Sequence, residues 1–295
     1  MKVISIGDNV VDCYLDQNIY YPGGNAVNVA VGCRRSGAES ASYIGIFGTD
    51  DKADHIKTAL YEEGIDFSHC RTLDGISGQP GVNIDNNGDR VFVGSRKDTV
   101  QHRVRLRLTE DDYEHIRRFD LCHTSCYSWL EDELPTLSRE VNISFDFSDN
   151  VDRAYFEKVC PYIKYAFISG SNLDERELQD LLIYLNQFDL EVIGITRGGE
   201  PSVFVRDNIQ YIQHVKDVEV KDTMGAGDSF ISAFLVSYIN DGDIERALML
   251  AAEAASETCL ISGGFGYPKS DPSFFEQANQ LTEEGSHGES DIKEH

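Results

Sequence analysis

An α/β fold, with a mainly parallel sheet covered by helices on both faces, is what this sequence predicts. Short apolar bursts rich in β-branched residues alternate along the chain with stretches of helical spacing, which is the rhythm of such a fold. The bursts read as continuous apolar runs, as strands buried on both faces do. At 295 residues, 41% of them apolar and including 15 Phe and 14 Tyr, the chain has material for a large packed core.

Taken in order, Val3-Ile4-Ser5-Ile6 forms a first strand ending at Gly7, and residues 26–35 place Val27, Ala30 and Val31 at helical spacing. Residues 42–47 form a strand candidate, and Asp50 then caps a helix running to Leu60. Residues 119–124, 143–147, 165–169 and 191–196 read as short buried strands. Helical stretches around 109–118, 152–159 and 174–187 separate them. One region departs from this rhythm. Asn86-Asn87-Gly88-Asp89 is a hairpin turn between the alternating segments 82–85 and 90–93, and with 68–72 it predicts a small antiparallel patch. Such a patch is either a lid over a site or an ordinary edge hairpin. From about residue 281 the chain is polar and rich in Gly, Ser and Glu, which predicts a disordered tail at 281–295 after a single domain over 1–280.

Fifty-one acids against 26 bases give a net charge of −25. Such a chain repels phosphate backbones and anionic lipid, so neither nucleic acid nor a membrane is expected as a partner. The one basic cluster, 96–107, reads as a solvated face; the alternative is a patch that receives an anionic substrate group. Seven scattered cysteines without a CxxC pair argue for reduced, buried thiols rather than a zinc site. The N-terminus lacks the pattern of a signal peptide and no run of about 20 apolar residues occurs, so a cytoplasmic location is expected.

The strongest chemical signal is Asp222-Thr223-Met224-Gly225-Ala226-Gly227-Asp228-Ser229-Phe230. Phe230, Ala233, Phe234 and Tyr238 continue it at helical spacing, so the Gly-Ala-Gly run opens a helix. Small residues at a helix N-terminus leave amides facing outward where the helix dipole favours anions, an anion hole suited to a transferring phosphoryl group. An aspartate there repels phosphate, and its presence makes sense if Asp228 accepts a proton from an attacking hydroxyl. At the other end, Gly23-Gly24-Asn25 precedes a helix carrying Asn28, and i, i+3 spacing puts both amides on one face toward sugar hydroxyls. Asn25 as a helix cap is the competing reading. Asp8 and Asp12 follow the first strand, on the binding edge of such sheets. Thr196-Arg197-Gly198-Gly199 ends a strand as a turn near nucleotide phosphates, and Asn172 with Glu175, like the acids of 145–150, lies at a strand end. No GxGxxG follows the first strand, which disfavours a dinucleotide-dependent dehydrogenase.

Together, GGNAVNVA (23–30) and DTMGAGDSF (222–230) resemble the PfkB/ribokinase family of carbohydrate kinases over residues 1–270. The resemblance implies a ribokinase-like three-layer α/β/α sandwich with a small β lid built from segments around 10–22 and 68–100. It implies Asp228 as base, Gly225, Ala226 and Gly227 as anion hole, and Asp12, Gly24, Asn25 and Asn28 facing the sugar. Thr196, Gly198 and the stretch at Gly263-Gly264 would contact ATP. Asn172 and Glu175 would organise Mg2+ through water, Asp222 would help hold a monovalent cation such as K+, and two copies could associate through the lid. GDNVVD (7–12), YPGGNAVNVAV (21–31), DRVFVGS (89–95) and FDFSD (145–149) are similar to the branch acting on fructoselysine, a glycated amino acid. Another ketose or a nucleoside, and a non-catalytic sugar sensor, are the alternatives; the intact Asp228 argues against the sensor. Two positions depart from the family pattern: Pro201 stands where the nucleotide loop usually has a second glycine, and no proline precedes Asn172.

Overall fold

The computed structural model describes residues 1–84 and 90–271. An eight-stranded sheet crosses the molecule in the order Ile209–Gln213, Glu200–Arg206, Val192–Arg197, Tyr165–Ser169, Asn142–Asp146, Leu121–Ser125, Lys2–Ile6, Ser40–Ile44. From Val192–Arg197 to Ser40–Ile44 all pairs are parallel, and the other two strands add an antiparallel edge. The apolar runs explain the layering, because alternate side chains leave opposite faces. Tyr165 and Phe167 join one core with the helices Asn25–Arg35, Ala226–Asp241 and Ile244–Thr258. Ala166 and Ile168 join a second core with Glu110–Ile116, Arg153–Val159 and Glu175–Leu185. The sandwich has three layers, as expected.

After Lys2–Ile6 the chain first adds Ser40–Ile44 on one side and later returns to add Leu121–Ser125 on the other. That reversal makes a crevice at the carboxyl ends of the first strand and its neighbours, where open α/β sheets bind ligands.

A second sheet of five strands runs Lys269–Ser270, Ile19–Gly23, Val10–Tyr14, Pro80–Ile84, Arg90–Ser95. It contains both segments expected of the small sheet, but residues 68–72 do not join it. Arg71–Thr72 instead pairs in parallel with Ile46–Phe47. The cause lies at Gly45, which interrupts the expected 42–47 strand. The Tyr43 hydroxyl lies 1.9 Å from where a Cβ would be, and the Gly45 carbonyl accepts from Arg71 N at 2.9 Å. The expected turn at 86–89 and the tail at 281–295 lie outside the described residues. Among the described residues no helix is long and apolar enough to cross a membrane.

Candidate active site

Asp8, just past the first strand, is where the site begins. Gly24 holds the helix N-cap position with φ 103°, and a Cβ there would press on the Asp8 carbonyl at 2.9 Å. With no side chain at the cap, Asp8 supplies the capping carboxylate: its Oδ2 accepts from Asn25 N at 2.9 Å and its Oδ1 from Ala26 N at 3.3 Å. Asn25 is therefore not the cap. It is the first helical residue, and its side chain reaches across the crevice.

There Asn25 Nδ2 donates to Asp228 Oδ1 and to Asp146 Oδ2, each at 2.8 Å, and Asn28 Nδ2 donates to Asp228 Oδ2 at 2.7 Å. Both amides share one helix face, as their spacing predicts, but that face holds the Asp228 carboxylate. Asn25 Oδ1 meets Nε2 of the buried His123 at 3.0 Å, and His123 Nδ1 meets Ser144 Oγ at 3.0 Å.

Asp228 stands in the first turn of Ala226–Asp241, after Gly225 in the left-handed region at φ 73°. Gly225 is required twice over, by that φ and because a Cβ would lie 2.6 Å from Cα of Gly264. The Ala226 amide donates to the Thr223 carbonyl at 3.3 Å, whereas a Cβ on Gly227 would meet nothing within 4 Å. Of the three expected anion-hole residues, Gly227 is the one that opens onto free space.

Asp222 braces this turn. Its Oδ1 accepts from Met224 N at 2.9 Å, and its Oδ2 accepts from the Tyr14 hydroxyl at 2.6 Å and from Gly263 N at 2.8 Å. One carboxylate thus ties the small sheet, through Tyr14, to the start of the Ala226–Asp241 helix, and both its oxygens already serve protein donors. Gly263 and Gly264 back the same assembly: Cβ atoms there would meet the Tyr21 ring at 2.4 Å and the Asn28 amide at 2.9 Å. Asp12, 4% exposed on Val10–Tyr14, fills the space a Cβ on Gly23 would need.

The electrostatics follow from this crowding of acids. Burial, then the Asp228 charge, pushes Asp146 up to about 7 against the pull of Ser148 N and Asn25. Burial raises Asp8 as well, opposed by the Ala26 and Asn25 amides. Burial alone pushes His123 down to about 3, so its ring is neutral.

On the neighbouring strands, Gly198 (φ 59°) and Gly199 make a tight two-residue turn between Val192–Arg197 and Glu200–Arg206, and no Cβ at Gly199 would touch anything within 4 Å. Pro201 already belongs to the second strand, so the turn is shorter than a GxxG loop. The Thr196 carbonyl accepts from Gly170 N at 2.7 Å, joining this turn to the one that carries Asn172. Asn172 and Glu175 are exposed, and Glu175 accepts from Gln179 at 3.0 Å. Among the described residues no group of three or more His, Cys, Asp or Glu could hold a metal ion. The Asn172/Glu175 pair therefore fits magnesium only through intervening water.

Three participants escape the sequence reading. Asp146 is visible there only as an acid ending an apolar strand, His123 as a polar residue inside one, and Tyr14 carries no signal at all.

Residues 2–265 match the model of the pfkB family carbohydrate kinases. The chain is 45% identical to "Fructosamine kinase FrlD" of Bacillus subtilis over 90% of this chain and 94% of that one. It is 33% identical to "Fructoselysine 6-kinase" of Escherichia coli over 90% of this chain and all of the other. Among solved structures, Arabidopsis thaliana ribokinase with ribose and ATP superposes with a TM-score of 0.75 at 15% identity, covering 93% of this chain and 97% of that one. Xylella fastidiosa fructokinase with bound ATP gives 0.73 at 16% identity, covering 97% and 99%. The chain belongs to the pfkB family of carbohydrate kinases.

Proposed function

We propose that this kinase transfers the γ-phosphoryl group of ATP to the 6-hydroxyl of fructoselysine or a close fructosamine, with Asp228 as the base. The observation that carries the reading is the placement of Asp228: two amides clamp its carboxylate beside the open first turn of a long helix. An acid at an anion-binding terminus is best explained by proton acceptance. The sugar lies between the Asn25–Arg35 helix and the 225–228 turn, with Asp12, Gly24, Asn25 and Asn28 on its side. Asp228 takes the hydroxyl proton as the oxygen attacks. The open turn at Gly227 and the positive end of its helix face the charge that develops on the transferring group. Gly198 and Gly199 line the nucleotide side, and Asn172 and Glu175 would hold, through water, a magnesium ion that would neutralise phosphate charge.

The choice of fructosamine is supported by the names of the two relatives and by the acidic surroundings. Asp8 and Asp146 lie beside the base, and Tyr127 is exposed next to them with its hydroxyl 2.7 Å from Ser148 Oγ. A substrate extending past fructose with a cationic group meets negative potential there. Asp85 and Asp89, also candidates for that contact, lie outside the described residues. All seven cysteines are free, which supports a reducing, cytoplasmic location.

A coupled ADP-release assay over fructoselysine, other fructosamines, fructose, ribose and adenosine tests this reading. A partly desolvated charge contact of ~1–3 kcal/mol predicts kcat/KM ~10–100-fold higher for fructoselysine than for fructose. Equal values would contradict the fructosamine assignment and leave a sugar kinase of another specificity.

A further inference from the structure

We infer that His123, which meets the Asn25 amide at 3.0 Å, is a positioning residue that fixes the orientation of that amide and through it the catalytic carboxylate. The inference rests on the reading of Asp228 as base, and its starting point is the supply of hydrogens. A base must be ionised and then only accepts, so the Asn25 group 2.8 Å from Asp228 must be its NH2, whose second hydrogen faces Asp146 at 2.8 Å. Asn25 Oδ1 then faces His123 Nε2 at 3.0 Å. Two acceptors cannot face each other, so Nε2 carries the ring's hydrogen. The ring is neutral in its fully buried position, so Nδ1 must accept, and the Ser144 hydroxyl 3.0 Å away must donate. Every donor from Ser144 to Asp228 therefore points one way.

The placement of these residues supports the assignment. His123 and Ser144 lie directly opposite each other on adjacent parallel strands, both fully buried. Their neighbours in those strands include Leu121, Cys122, Ile143 and Phe145, and an apolar pair would fill the same space without desolvating a ring and a hydroxyl. What His123 and Ser144 add is a single allowed tautomer beneath Asn25. Without it the amide can turn over, presenting its oxygen to both carboxyl groups and withdrawing its hydrogen from Asp228.

Two variants separate this role from packing. A glutamine side chain carries its NH2 to about the position of histidine Nε2, whereas asparagine reaches only that of Nδ1. With fructoselysine and ATP, H123Q is expected to keep kcat within about threefold of the parent, and H123N to lose ~10-fold or more at unchanged KM for ATP, as a displaced base would. Thermal melts of the two should coincide. Equal loss in both, or no loss in H123N, overturns the inference. A second measurement needs neither activity nor a substrate: 15N NMR of the histidine-labelled parent protein at pH 7.5, with the His123 ring identified by its loss in H123Q. A neutral ring protonated at Nε2 is expected. A ring protonated at Nδ1, or at both nitrogens, overturns the inference. If D228N proves active, the base assignment fails while the tautomer result stands or falls by itself.

Discussion

Asp146 shows how a single side chain records the cost of building this site. In an unfolded chain its carboxyl titrates near 3.8, and in the fold it is pushed up to about 7 by burial and by the charge of Asp228. A carboxyl raised on folding contributes stability that is fully present below the lower value and is lost as the pH rises through the upper one. Across that interval the ceiling is ~4 kcal/mol, and solvent at the crevice reduces it. D146N should therefore melt above the parent at pH 8, by the equivalent of ~1–4 kcal/mol, and the difference should shrink toward pH 5; coincident melts at pH 8 would contradict this account. Legibility at this scale divides by locality. Asp228 is readable because Gly-Ala-Gly-Asp is a local pattern with local chemistry. Asp146 and His123 are not, because their roles depend on which strands become neighbours, and nothing within either strand states that. Asn25 is readable as a site residue, but its partner is Asp228 and its cap is Asp8, a residue from another element.

Among the elements, the small sheet is joined to the helix that carries Asp228. Tyr14 on Val10–Tyr14 donates to Asp222 at 2.6 Å, and the same oxygen takes Gly263 N, so a shift of the sheet is felt at the start of the Ala226–Asp241 helix. If this sheet closes over bound sugar, amide exchange in Pro80–Ile84 and Arg90–Ser95 should slow on addition of fructoselysine. Unchanged exchange at saturating sugar would reduce the sheet to a fixed wall. The main-sheet strands Lys2–Ile6, Leu121–Ser125, Asn142–Asp146, Tyr165–Ser169 and Val192–Arg197 fall within two residues of their expected bounds, since buried parallel strands announce themselves as apolar runs. The antiparallel edge strands Glu200–Arg206 and Ile209–Gln213 go unread. The expected 42–47 strand splits because Gly45 yields to Tyr43, a contact invisible in the local pattern. The helix Ile244–Thr258 goes unread although Ile244, Ala247, Leu248, Ala251 and Ala252 form its buried stripe and Asp243 caps it at 3.1 Å. Small alanines make a weak apolar signal. Lys269–Ser270 has no local strand character; only its pairing with Ile19 and Tyr20 makes it one.

For the molecule as a whole, topology decides where these parts meet. The reversal of strand order beside Lys2–Ile6 gathers Asp8, His123 and Asp146 at one edge of the sheet, and the Ala226–Asp241 helix brings Asp228 to them from late in the chain. The fold class was legible in the alternation of elements, while this convergence was legible only through the motif resemblance. The net charge of −25 argues against nucleic acid and anionic lipid as partners without locating a site, since it is a sum over the whole sequence. The central claim is that the convergence serves proton acceptance by Asp228, and one substitution addresses it. D228N keeps the size of the side chain and one accepting oxygen, and a turned-over Asn28 amide can accept from its NH2, while the base is removed. The parent and D228N proteins should melt alike and bind ATP alike, and single-turnover phosphorylation of fructoselysine should fall by ~10²–10⁴-fold in D228N. Near-parental turnover by a folded, ATP-binding D228N protein would contradict the account.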